Sequence, residues 1–386
     1  MKSLIIFYEI CYTVFRMKKL ALISENARDF GRELAKGVAD FAQMRSDWVL
    51  ELLTPADLMG KSDALDGYAG FIAHVNQDTI RRRLQNCTVP IINTFAKPIS
   101  KLDISVDCDH AAIARMAAGH FLKRGFRTFA YCGFPGAAFS DPRERAFSRE
   151  ISDAGHEVSV FNGRNLNAWL RRLPGKCAVF CANDVRAYHV IRTATALGRA
   201  VPDDLAVLGS DNDAMICAFS PIPISSIDPN ARRIGFAAAR LLDDVLKHPS
   251  VRKIRPTLRI KPGKLIERTS TLVYPIDPDW LGRLLAYIET SLPDGISPAD
   301  IVAKSGYSYP VVEKAFKRNF DETIAQYLLR MRMEKAERLL TETNLSSKEI
   351  AARIGFNTPQ HFCATFHRYY GHSPTCHKGS IVRNHQ

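Results

Sequence analysis

The stretch SSKEIAARIGFNTPQHFCATFHRYYG, residues 346–371, decides how the end of this chain folds. Ser346 and Glu349 stand three apart before an apolar run, which is the pattern of a capping box at a helix start. Ile350, Ala351 and Ile354 supply one apolar face. Gly355-Phe356 breaks the helix, because the turn there calls for a positive φ that glycine adopts freely. Asn357 or Thr358 then caps a second helix with Pro359 close to its first position. Phe362, Phe366 and Tyr369 are expected to form the inner stripe of that helix. A short helix, a glycine turn and a capped second helix make a helix-turn-helix, whose second member lies in the major groove of DNA.

The same plan occurs upstream. Ser297-Pro298-Ala299-Asp300 reads as a capped helix start, Ile301, Val302 and Ala303 as its apolar face, and Gly306 as its end. Ser308 caps a second helix bearing Val312, Phe316 and Phe320 at i, i+4 and i+8. An amphipathic helix from Ile324 to Leu340 joins the two units. One such unit is a weak signal; two in tandem are specific. With Phe362 inward, Gln360, Ala364 and His367 point outward, and His361, Cys363 and Arg368 flank them. Gln360 suits adenine, and His367 or Arg368 suits phosphate. On the first unit the outward residues are Pro310, Val311, Lys314 and Arg318, with Lys317 nearby. The lysines and the arginine suit phosphate or guanine; the apolar pair either touches thymine methyls or reads little. Read instead as a solvated face, these charges would need no partner.

Upstream of residue 269 the pattern is different. Short apolar runs (residues 20–23, 48–53, 70–73, 90–93, 128–131, 157–161, 178–180 and 205–209) alternate with amphipathic helices (30–44, 110–123, 143–153, 185–197 and 232–247). Strands alternating with helices of this length build parallel sheets. Two consecutive sets predict two doubly wound lobes with a cleft between them, and ligands bind such sheets beyond the carboxyl ends of the strands. The expected organisation is a non-structural extension at 1–16, an α/β domain over 17–269, a linker with two X-Pro steps over 270–279, and an all-α domain over 280–386.

Composition sets limits but does not choose. The chain has 386 residues, a net charge of +13 and nine scattered cysteines. A basic balance suits a polyanionic partner, yet most of the excess lies upstream of residue 276, including a basic run from Lys247 to Arg268. Bulk charge therefore does not locate a DNA-binding end. Free thiols fit a reducing, cytoplasmic setting. Cys177 and Cys181 flank an apolar strand and make a poor zinc pair. The N-terminal apolar run, interrupted by Glu9, is too short to span a membrane and carries no signal-peptide cleavage pattern. No phosphate-binding glycine loop, metalloprotease motif or nucleophile elbow is present, so no enzyme, cofactor or metal is expected.

From about Trp280 onward the chain resembles the AraC/XylS-type DNA-binding domain. The resemblance rests on Arg332, Ala336, Leu339-Leu340, Ile350-Ala351, Gly355-Phe356, Phe362, Phe366, Tyr369, Gly371 and Ser373-Pro374. It departs beyond Pro374, where His377-Lys378 stands in place of the family's frequent Tyr-Arg. Residues 19–269 resemble the LacI/GalR-type, periplasmic-binding-protein-like sensor. The landmarks are Ser105–His110 before a helix, Ala118–Phe126, Arg143–Phe147, Cys181-Ala-Asn183-Asp184 and Val207–Asn212. That resemblance implies a sugar ligand, whose hydroxyls want carboxylates, amides and a guanidinium. The candidates are Asp211, Arg143, Asn183, Asp184 and Asn212, with Asn26 and Arg28 from the other lobe; as plain caps and turn formers the Asx residues would need no ligand.

A sensor that precedes an AraC-type unit further implies a pentose such as xylose as effector. It also implies activation of catabolic genes, a homodimer, and operator DNA and RNA polymerase as partners. Two other readings compete: a regulator with a non-sugar effector, and a sugar-binding protein of a transport system. Salt-dependent DNA binding separates the second from a regulator.

Overall fold

The computed structural model describes residues 17–59, 64–99, 104–248, 250, 257–276 and 278–377. The expected extension at 1–16 and Lys378 lie outside them. The chain divides into two compact units, the first ending at Leu272 and the second beginning at Val273.

The first unit contains two six-stranded sheets. Its elements run β1 (Lys18–Ser24), α1 (Asp29–Ala42), β2 (Trp48–Leu53), α2 (Pro55–Leu58), β3 (Gly70–His74), α3 (Asp78–Gln85), β4 (Ile91–Asn93) and β5 (Ile104–Cys108). They continue with α4 (His110–Lys123), β6 (Thr128–Cys132), α5 (Ser140–Asp153), β7 (Val158–Val160), α6 (Leu166–Arg172), β8 (Cys177–Cys181), α7 (Asp184–Ala196), β9 (Leu205–Ser210) and α8 (Ala214–Phe219). They end with β10 (Ser225–Ile227), α9 (Ala231–Lys247), β11 (Thr257–Ile260) and β12 (Leu265–Ile266). The sheet orders are β11-β5-β4-β3-β1-β2 and β12-β10-β9-β8-β6-β7. Among the described residues every pair is parallel except β10 with β12.

The central strands are apolar on both faces because helices cover both, as parallel sheets require. Leu20 to Ile23 and Leu205 to Leu208 are buried throughout. The chain crosses between lobes three times: from β5 into α4, from β10 into α9, and from β11 into β12. These crossings are bonded together. The Asp109 amide donates to the Ile260 carbonyl at 2.8 Å, and the Asp228 amide to the Lys264 carbonyl at 2.9 Å. Helices α1 and α9 pack closely in the first lobe: a Cβ on Gly37 would lie 1.8 Å from the Arg232 carbonyl oxygen, and one on Gly235 2.0 Å from that of Leu34.

Several elements differ from the sequence expectations. The basic run before Arg268 contains the edge strands β11 and β12. Residues 269–271, at the expected domain–linker border, form a 3-10 turn of the first unit in which Ser270 and Thr271 are buried, with Ser270 Oγ donating to the Val207 carbonyl at 2.6 Å.

The second unit is helical: α10 (Asp279–Ser291), α11 (Pro298–Ser305), α12 (Tyr309–Phe320), α13 (Ile324–Glu342), α14 (Ser347–Arg353) and α15 (Pro359–Tyr370). Capping boxes at Ser297/Asp300 and Ser346/Glu349 start α11 and α14 as expected. Thr358, not Asn357, caps α15. The unit has two cores. Ile324, Tyr327 and Leu328 of α13 join the first, around Val312 and Phe316. Met333, Ala336 and Leu340 of the same helix join the second, around Phe362 and Phe366. The inner stripe of α15 ends at Tyr370, not Tyr369: Tyr370 packs into the core, while Tyr369 is 43% exposed. The i, i+4, i+8 progression from Phe362 leads to 370, as it leads from Val312 to Phe320. No helix among the described residues is long and apolar enough to cross a membrane.

Candidate functional site

Between the lobes lies a cleft of about 380 Å³. Aromatic rings line it from both lobes. From the first lobe come Phe30 and Phe95, which bracket His74 at ring-centroid distances of 4.7 and 5.3 Å. From the second come Phe134 and Phe139, 5.9 Å apart. His74 Nδ1 meets the Thr94 carbonyl at 3.0 Å, and burial lowers the ring's pKa. A neutral His74 that donates from Nδ1 keeps Nε2 as an acceptor.

A chain of polar groups runs from the hinge to the centre of the cleft. Arg259 Nη1 lies 2.9 Å from Asp107 Oδ2, and His110 Nε2 lies 3.3 Å from the same oxygen. Arg143 Nε donates to His110 Nδ1 at 3.3 Å, and Arg143 Nη1 stands 4.0 Å from Asp211 Oδ1. Burial lowers the His110 pKa, and a neutral ring that donates from Nε2 and accepts at Nδ1 satisfies both contacts. Burial opposes ionisation of Asp107 too, but His110 and Arg259 outweigh it and hold the carboxyl below the usual range. Arg143 is 3% exposed and its Nη1 also donates to the Ala182 carbonyl. The guanidinium is thus fixed before any ligand arrives, which lowers the entropy cost of using it.

Asp211 sits where β9 ends. Burial pushes its carboxyl up to about 8. Its φ is 118°, a region that L residues rarely occupy. Strain of this kind clusters at ligand clamps, and here it sets the carboxyl opposite Arg143.

Four of the seven expected ligand residues line the cleft: Arg28, Arg143, Asn183 and Asp211. Asn183 also caps α7, accepting from the Arg186 amide at 3.0 Å. The other three do not line it. Asp184 is 1% exposed, and its carboxylate accepts from Ser226 Oγ at 2.5 Å and the Asp213 amide at 2.8 Å. That is an internal strut, with burial raising its pKa to about 6. Asn212 Oδ1 accepts from Arg268 Nη2 at 2.8 Å, and the residue lines a different groove with Asp228 and Asn230. The Asn26 carbonyl accepts from Arg32 Nη1 at 2.9 Å, outside the cleft lining. Sequence reasoning missed His74, Asp107, His110 and the four phenylalanines. Asp107 and His110 lay inside a stretch already noted for its position before α4, and that was the available signal.

In the second unit, α12 and α15 share one burial pattern. Val312, Ala315 and Phe316 are buried on the first; Phe362, Thr365 and Phe366 on the second. The expected DNA-facing residues are all exposed: Val311, Lys314, Lys317 and Arg318 on α12, and Gln360, His361, Ala364, His367 and Arg368 on α15. Among the described residues none of these lysines and arginines has an ion-pair partner. Gly355 is required between α14 and α15: its φ is 76°, and a Cβ there would lie 2.4 Å from the Leu292 carbonyl oxygen.

Comparison with known proteins agrees with this two-part construction. Residues 118–271 match the periplasmic binding protein-like domain family, and residues 295–378 match a helix-turn-helix domain family. The chain is 26% identical over 379 residues to the xylose operon regulatory protein of Escherichia coli K12, covering 92% of this chain and 95% of that one. The structure of the xylose-binding transcription activator XylR aligns over 94% of this chain and 98% of its own, at 25% identity and a TM-score of 0.59.

The chain joins a periplasmic-binding-protein-like sensor domain to a helix-turn-helix domain, the build of a DNA-binding, sugar-responsive transcription regulator.

The sensor fold of this regulator recurs more widely. A LacI-family regulator from Enterococcus faecium, solved with bound ribose, aligns over 66% of this chain and 98% of its own, with 21% identity and a TM-score of 0.53. The xylose operon regulatory protein of Haemophilus influenzae is 23% identical over 378 residues, covering 92% of the regulator and 97% of that chain. These relatives are regulators and sensors, not enzymes.

Proposed function

We propose that the cleft binds a pentose, with D-xylose as the effector, and that its occupancy controls how the helix-turn-helix pair engages operator DNA. The observation that carries this reading is the Arg143–Asp211 pair in a cleft that aromatic rings from both lobes also line. Aromatic faces cover the C–H faces of a sugar ring, while the guanidinium and carboxyl take its hydroxyls. Arg28 and Asn183 complete the set from either lobe. The full-length similarity to xylose operon regulators supports the pentose. Asp184 and Asn212 are engaged by hydrogen bonds within the protein and take no part in this set.

The regulator then works as a cytoplasmic homodimer that activates sugar catabolism genes together with RNA polymerase. The effector binds the closed cleft better than the open one, and that difference in affinity is what it transmits.

The test is a thermal-shift series with D-xylose, D-ribose, L-arabinose, D-glucose and D-galactose. A ligand that binds only the folded state at a hundredfold excess over its Kd adds about 2.7 kcal/mol, or roughly 5–10 °C. The expected result is a rise with D-xylose that vanishes in Arg143→Ala. A flat response to all five sugars contradicts the proposal.

A further inference from the structure

The two recognition helices have the same shape but different chemistry. At their second and third positions α12 carries Pro310 and Val311 where α15 carries Gln360 and His361. Tyr309, at the first position of α12, is 50% exposed, and Val311 is 45% exposed. Val312 behind them fills the core, so Val311 is an apolar side chain beyond what packing needs. Pro310 offers no N–H and no polar atom. The N-terminal turn of a recognition helix is the part that meets base edges. The one apolar group in the major groove is the thymine 5-methyl. The cations of α12, Lys314, Lys317 and Arg318, are exposed and sit further along the helix, and contacts from such groups to phosphates carry no sequence information.

We propose that the regulator reads its operator in two chemically distinct halves. α12 recognises thymine methyl groups through Val311 and the Tyr309 ring, and α15 recognises base edges by hydrogen bonds from Gln360 and His361. This rests on the DNA-binding reading of the second unit and adds the base chemistry to which each helix responds.

The test uses full-length protein and a duplex that the protein itself selects from a random-sequence pool. Each thymine is replaced in turn by deoxyuridine, which removes the methyl and keeps the pairing. One or two neighbouring thymines are expected to lose about fourfold in affinity each, as burial of one methyl group gives. In the double variant Tyr309→Ala/Val311→Ala the same replacements have no effect. In Gln360→Ala they keep their full effect, while preference shifts at a different position. Both variants change exposed residues, and unaltered far-UV circular dichroism confirms that they fold. If no thymine is sensitive, or if sensitivity survives in the double variant, the division of labour is wrong. If no duplex is selected at all, the fault lies with DNA binding itself.

Discussion

Asp29 and Asp213 cap each other's helices across the cleft. The Asp29 amide, at the start of α1 in the first lobe, donates to Asp213 Oδ2 at 3.1 Å. The Ala214 amide, at the start of α8 in the second lobe, donates to Asp29 Oδ2 at 2.5 Å. Each carboxylate also sits at the positive end of the opposing helix dipole. These bonds exist only while the lobes stay together, so they act as a clasp on the closed cleft.

Asp29→Ala is therefore expected to favour the open form. Loss of one cap is worth about 1 kcal/mol, close to a fivefold change in an equilibrium. Calorimetric titration with D-xylose should show affinity falling by about that factor, with effector-free DNA affinity unchanged. Unaltered sugar affinity would mean that the two ends meet without any bearing on closure.

Asp211 predicts a pH dependence of stability. Burial raises its carboxyl to about 8, so the folded sensor holds this proton more tightly than the unfolded chain does. The resulting stabilisation is complete in acid below the unfolded value and drains away as pH rises toward 8. Asp211→Asn removes the ionisation. Without ligand, its melting temperature should exceed that of the native protein at pH 8, by about 2–4 °C for each kcal/mol recovered. The gap should narrow as the pH falls through 5 and close only below about pH 4, the range of an ordinary Asp carboxyl. A gap independent of pH would place the effect in the strained backbone instead.

The strand pattern was legible because Leu20 to Ile23, Ala178 to Phe180 and Leu205 to Leu208 are buried on both faces and read as unbroken apolar runs. β5 was hidden because Ser105 and Asp107 interrupt it, and β11 because an exposed edge strand needs no apolar pattern. Arg143 and Asp211 could be picked out because both fall where an element begins or ends. His110 begins α4 as well, but that position alone gave it no role: its part depends on Arg143, which folding alone brings to within 3.3 Å. Asp184 failed for a different reason. A carboxylate just after a buried strand serves equally as ligand or strut, and only Ser226, Cys217 and the Asp213 amide reveal which.

The hinge chain yields a third expectation. Asp107 joins Arg259 to His110 while 4% exposed. Asp107→Ala strips a charged hydrogen bond from each neighbour, worth about 1.5–3 kcal/mol. Differential scanning fluorimetry should record a drop of roughly 3–12 °C for the sensor transition. A drop under 1 °C would show that the chain does not brace the hinge.

Gly355→Ala tests the second helix-turn-helix. With φ at 76° and the Leu292 carbonyl 2.4 Å from the new Cβ, the turn must shift. The cost should exceed the roughly 1 kcal/mol of an ordinary glycine substitution. DNA binding should fall at least tenfold, while the sensor's thermal response to D-xylose stays intact. Retention of native DNA affinity would show that α14 and α15 tolerate another turn.

If the Arg143 cleft governs the helices that hold DNA, sugar and DNA affinity must be coupled. Affinity for the self-selected duplex, with and without D-xylose, in the native protein and in Arg143→Ala, measures that coupling. The sugar is expected to change native affinity by about 5- to 150-fold, the usual range of allosteric coupling, and to leave Arg143→Ala unmoved. Equal affinity with and without the sugar in the native protein would contradict it.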